Sequence, residues 1–141
     1  MDAEWRSKLE RAERALRKLD AVRTRCPTLK AYENDSDQRD IAERNIQIAV
    51  EAIIDLANWL ISRKGWPHPP TAALSIETLV SRKILSPRLG VSLVAWIKTR
   101  NVVVHLYAKI DDGRIYRSLG RHRDSLRSGI RTLAKACGFA P

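Results

Sequence analysis

The sequence predicts an all-α fold: an up-and-down bundle of four to five helices, forming one domain over residues 1–141. Three observations carry this. Apolar residues recur at steps of three and four through most of the chain. Turn and helix-boundary signals separate the periodic stretches, at Pro27, Asn34-Asp35-Ser36-Asp37, Gly65 to Pro70, Ser86-Pro87 and Asp111-Asp112-Gly113. The one run that favours strand locally, Val102-Val103-Val104, sits inside a helical pattern with no turn signal to interrupt it.

The first helix is expected over 3–25, where Trp5, Leu9, Ala12, Leu16 and Leu19 form one stripe. Opposite charges four apart suit its outer face, and Pro27 closes it. The stretch 28–37 reads as a connection, with Asp35, Ser36 or Asp37 available to cap the next helix. That second helix runs over 38–63. Its dense apolar set, Ile41, Ile48, Ala49, Ala52, Ile53, Leu56, Ala57 and Leu60, suggests a central helix covered on more than one side. Gly65 marks its end, and the stiff loop Trp66-Pro67-His68-Pro69-Pro70 comes after it; its Trp is read as a plug for the end of the core. A shorter helix over 72–84 carries Leu74, Leu79, Val80 and Ile84. Ser86 at N-cap and Pro87 at the first helical position restart the chain. The fourth helix spans 87–109, with Leu89, Leu93, Trp96, Ile97, Val104 and Ala108 inward, and Asp111-Asp112-Gly113 ends it. The last helix, 114–137, buries Ile115, Leu119, Leu126, Ile130, Leu133 and Cys137.

The charge is unevenly placed. Residues 1–65 hold 13 Lys+Arg against 12 Asp+Glu, and residues 66–141 hold 13 against 4, so the net +10 lies almost wholly in the second half. A one-sided basic field attracts polyanions. Arg123, Arg127, Arg131 and Lys135 step by four along the last helix and are the candidate nucleic-acid-binding row. Cys26 and Cys137 stand alone, without a C-x-x-C or a Cys/His pair at zinc spacing, so two reduced thiols and no structural metal are expected. No apolar run is long enough for a membrane span. The N-terminus is charged from residue 2, so a cytoplasmic protein is expected.

The chemistry-bearing stretch is Arg100-Asn101-Val102-Val103-Val104-His105-Leu106-Tyr107. On a helix, Arg100 and Tyr107 lie about 20° and about 10 Å apart, and His105 sits about 140° round from Arg100. Asn101 stands one turn before His105, within reach of its ring. Glu51 and Asp55, four apart on one face of the second helix, could each reach Arg100, with Asp40 a further candidate. Read alone, this set also suits a helix with a buried His and a core-edge Tyr.

The Arg-x-x-x-x-His-x-Tyr spacing, with Asn directly after the Arg, resembles the motif of HEPN ribonucleases. The segment 97–116, IKTRNVVVHLYAKIDDGRIY, and the segment 42–61, AERNIQIAVEAIIDLANWLI, are similar to the matching parts of HepT-like toxins, and the resemblance extends over roughly residues 5–135. It implies a HEPN-like helical homodimer, and a ribonuclease toxin paired with an MntA-like nucleotidyltransferase antitoxin that adds AMP to the residue aligned with Tyr107. No cofactor is implied. RNA brings its own nucleophile, the 2′-hydroxyl, so the groups needed are a proton shuttle and a charge stabiliser. His105 can serve as general acid or base. Arg100 presents a fork to phosphate oxygens. Asn101 and Tyr107 would support them. Dimerisation through this helix would also give Trp96 and the Val run a surface to bury against. A non-catalytic helical adaptor that binds RNA or a nucleotidyltransferase stays open as an alternative. A helix-turn-helix DNA binder fits less well, because the helices are too long.

Overall fold

The structure, a computed structural model, describes residues 2–105 and 110–139. Its described residues form α1 (Ala3–Arg25), α2 (Leu29–Glu33), α3 (Ser36–Arg63), α4 (Ala72–Ser81), α5 (Pro87–His105) and α6 (Asp112–Ala136). The fold is all-α, as the periodicity predicts. No described helix is long and apolar enough to cross a membrane.

Helix α3 is the axis: α1, α2, α4, α5 and α6 all pack on it. This explains its density of apolar residues. It also shifts the phase expected from the sequence. Ile41 is exposed and Ile48 only half-buried, whereas Ala42, Ile46, Val50 and Ile61 enter the core. With neighbours on several sides, nearly every face of α3 is apolar, and pattern alone cannot rank them.

Local capping sets most of the boundaries. Asp35 caps α3, its carboxylate accepting from Gln38 N at 3.1 Å. Ser86 caps α5 through Leu89 N at 3.1 Å. Gly65 takes a φ of 68°, and paired bonds from Gly65 N to Ser62 O and Trp66 N to Ile61 O complete a Schellman ending for α3. The same pairing at Lys83, φ 63°, stops α4 at Ser81, three residues short of the predicted end. Trp66 is half-buried against the core with the Arg82 guanidinium 4.7 Å from its ring. Asp111 begins α6 rather than merely ending the preceding helix: its side chain accepts from Arg114 N at 3.1 Å. The expected connection at 28–37 contains α2, capped by Thr28.

The motif helix is anchored at mid-length. Leu93, Trp96 and Ile97 are buried, and Trp96 Nε1 donates to His122 O at 2.9 Å and Ser125 Oγ at 3.0 Å on α6. Trp96 is therefore satisfied within one chain, which corrects the expectation that it waits for a partner; Val102, Val103 and Val104 remain half-buried. Gly90 lets α4 and α5 approach closely, since a Cβ there would collide with Val80. The far end is closed by Trp5, Trp59 and Phe139, with ring centroids 4.7–6.3 Å apart.

Candidate functional site

The site is built where α5 leaves the core. Arg100 emerges at the edge of the buried face of α5, opposite Glu51 on α3. Its Nη2 donates to Glu51 Oε1 at 3.2 Å, and its Nη1 donates to Asn101 Oδ1 at 2.9 Å. Gln47 Nε2 donates to the same Glu51 oxygen at 3.2 Å. The guanidinium is thus gripped from two helices, with its side chain 21% exposed. Of the acids that could have reached it, Glu51 is the one in contact. Asp55 is turned to α1, where Lys8 Nζ lies 3.4 Å away.

Arg100 Nε is buried and has no hydrogen-bond partner among the described residues. A buried donor without an acceptor is costly, by about 1–3 kcal/mol. A phosphate oxygen brought to this edge would meet a cation fixed in place, one that does not have to be ordered on binding.

Asn101 and His105 are exposed on α5. The Asn101 amide oxygen accepts from Arg100, whereas the sequence suggests the His105 ring as its partner. Asn101 and His105 are thus exposed and Arg100 half-buried, so none of the three is sealed in a core. Tyr107 lies outside the described residues, as does the 106–109 end predicted for this helix.

The row on α6 sits elsewhere. Arg123 Nε is 2.7 Å from Asp20 Oδ1, and Arg127 Nη2 is 2.9 Å from Asp20 Oδ2, so both guanidinium groups turn towards α1. Arg131 lines a groove of about 730 Å³ with Arg6, Arg14 and Arg17 of α1, and Lys135 is exposed. None of the four is in contact with the Arg100 cluster, which faces Glu51 on α3.

Both thiols are free and buried. Burial raises Cys137 to about 11, and burial with the nearby Asp35 carboxylate raises Cys26. A second titratable group gathers where α3 meets the start of α6. There burial, with Asp112 and Asp40, pushes Glu43 above its usual range, and Arg39 lies 3.7 Å from Asp112.

Comparison with known proteins places this architecture. It superposes on the Shewanella oneidensis HEPN toxin, solved tri-AMPylated and in complex with MNT antitoxin, with a TM-score of 0.82 at 19% identity over 96% of this chain and 99% of that one. A toxin–antitoxin solved with AMP-PNP gives 0.79 at 18% identity, over 94% and 99%. YutE of Bacillus subtilis, a cytosolic protein of unknown function, gives 0.73 at 21% identity, over 96% and 94%. No curated protein sequence matches. Residues 12–133 match the family model for HepT-like ribonucleases, and with nearly the whole helical core inside that match the chain belongs to the HepT-like ribonuclease family.

Proposed function

We propose that this chain is the toxin of a toxin–antitoxin pair: a metal-independent endoribonuclease that cleaves RNA by attack of its own 2′-hydroxyl. The observation that carries the reading is the Arg100 guanidinium, clamped by Glu51 and Asn101 and still partly exposed, on the same helix as the exposed His105. In the reaction the 2′-oxygen bonds to phosphorus and the bond to the 5′-oxygen breaks. The products are a 2′,3′-cyclic phosphate and a 5′-hydroxyl. His105 takes the 2′-OH proton or donates to the leaving oxygen, a contribution of about 10²–10⁴-fold. Arg100 stabilises the charge that grows on the phosphorane. Asn101 holds Arg100, and Tyr107 donates to phosphate or stacks on a base. Arg123, Arg127, Arg131 and Lys135 supply a steering field for RNA, with Arg123 and Arg127 partly neutralised by Asp20.

The working unit is a homodimer in which two copies of α5 face each other across a two-fold axis and pool their motifs. An MntA-like nucleotidyltransferase antitoxin silences it by transferring AMP from ATP to the Tyr107 hydroxyl, with pyrophosphate leaving. Each AMP puts bulk and negative charge where substrate phosphate sits.

The test is cleavage of RNA in EDTA. Wild type should give cyclic-phosphate ends, and His105→Ala should abolish cleavage while keeping the fold and RNA affinity. RNA bound with steep salt dependence but left intact by wild type would mark the chain as a non-catalytic adaptor. Coexpression with the nucleotidyltransferase should add AMP mass to the Tyr107 peptide. Silencing without that mass would overturn the modification.

A further inference from the structure

Lys98 stands seven residues before His105 on α5. Seven residues nearly complete two turns, so the two side chains leave the helix about 20° apart and about 10 Å apart along its axis. Both are exposed. Lys98 also lines a cleft of about 460 Å³ where α4, α5 and the first turn of α6 meet. Arg114 reaches the same cleft from α6, and Val91 and Val94 form an apolar wall. Val91 is 72% exposed.

The charge in this cleft differs from that of the Arg123–Lys135 row. Arg123 and Arg127 are spent on Asp20. Among the described residues neither Lys98 nor Arg114 is in an ion pair. Among the described residues the cleft's one acid is Glu77, on α4. Two cations against one carboxylate leave a net positive cradle in line with the proton shuttle, separated from it by a span that an RNA strand crosses within a few nucleotides.

We infer that the Lys98–Arg114 cleft is a subsite for a backbone phosphate of the RNA flanking the scissile bond, with the adjoining base against Val91 and Val94. This rests on the ribonuclease reading and extends it: the strand would run from His105 down α5 towards the start of α6. The row further along α6 would act at a distance.

The experiment separates the two readings. In a His105→Ala background, RNA affinity is measured against salt concentration. Lys98→Ala and Arg114→Ala should each weaken binding about three- to tenfold and reduce the salt slope by about 0.7, the value for one lost single-strand phosphate contact. Lys98→Arg should restore most of it. Lys18→Ala, which removes an exposed charge from α1, should change neither. In the active protein, Lys98→Ala should raise KM on a long RNA and leave cleavage of a dinucleotide untouched, because a dinucleotide has no flanking phosphate. Unchanged affinity and slope, an equal loss on both substrates, or a change in oligomeric state on sedimentation would overturn the subsite. If wild type cleaves neither substrate, the ribonuclease reading fails, while the affinity arm still decides the subsite.

Discussion

Replacing Glu51 by Ala tests how Arg100 is held. The carboxylate accepts from Arg100 Nη2 and from Gln47 Nε2, each at 3.2 Å. The two side chains of the ion pair are 21% and 42% exposed, so solvent screens their attraction. A pair in that setting contributes about 0.2–1 kcal/mol to stability. For a chain of this size that corresponds to a Tm loss of about 1–4 °C. Catalysis should lose more. Without Glu51, Arg100 keeps only its neighbour Asn101, and its long side chain regains rotamer freedom. Ordering it again in the transition state costs about 1–2 kcal/mol, equivalent to a rate loss of about 5- to 30-fold. KM should not rise with it, because a carboxylate that repels phosphate has been removed. Thermal unfolding and single-turnover cleavage at saturating protein measure the two effects. The reasoning is refuted if Arg100→Ala loses the expected 10²–10³-fold, roughly the value for one lost oxyanion donor, while Glu51→Ala cleaves like wild type. It is also refuted if the Tm falls by more than about 8 °C, which would make Glu51 a structural residue.

Three further outcomes rest on single groups. Trp96→Phe keeps an aromatic ring but removes the indole N–H that donates to His122 O and Ser125 Oγ; these two stay bonded to each other at 2.6 Å, so the lost hydrogen bond should cost about 0.5–1.5 kcal/mol in chemical denaturation. Glu43 is pushed up by burial and by Asp112 and Asp40, so the folded state favours its protonated form. The stability this gives is present below the unfolded value of 4.5 and lost as pH rises through the higher folded value. Glu43→Gln should therefore raise the Tm at pH 7, with the gain disappearing below pH 4.5. Cys137 is raised from 9.0 to about 11, so wild-type stability should fall as pH climbs through that window, and Cys137→Ala should flatten the fall in a Tm–pH series.

The sequence announced the fold through punctuation as much as periodicity. Pro27, Gly65 and the Ser86-Pro87 pair each sit at an observed boundary because their backbone chemistry acts locally, whatever packs nearby. Helix α2 left no such trace, since five residues are too few to show a period. The Asp111 cap was ambiguous for a related reason: a cluster of Asp and Gly ends one helix and starts the next equally well. Ile41 and Ile46 could not be ranked because burial on α3 depends on the neighbours around it. In the candidate site, residue types and order were legible, because they are properties of one helix. Which acid meets Arg100, and which way the α6 arginines turn, depend on how α5, α6 and α1 pack on α3. The Lys98–Arg114 cleft went unseen for the same reason, as its two cations are sixteen positions apart and on different helices.

The angular spread of the motif makes its own demand on assembly. Arg100 is tied back to α3, whereas His105 leaves α5 about 140° away and about 7.5 Å further along. One chain therefore presents Arg100 and His105, in their proposed roles of charge stabiliser and proton shuttle, on different flanks of the same helix. Two-fold packing of α5 on α5 would set the Arg100 of one copy against the His105 of the other across a single phosphate. Coexpression of Arg100→Ala with His105→Ala chains tests this directly. Each homodimer lacks one function at every site, but a mixed dimer holds one site with both groups intact. Random pairing makes half the dimers mixed, each with one working site of two, so activity should return to about a quarter of wild type. If Arg and His of the same chain work together, every site in the mixture is defective and the mixed preparation stays as inert as its parents.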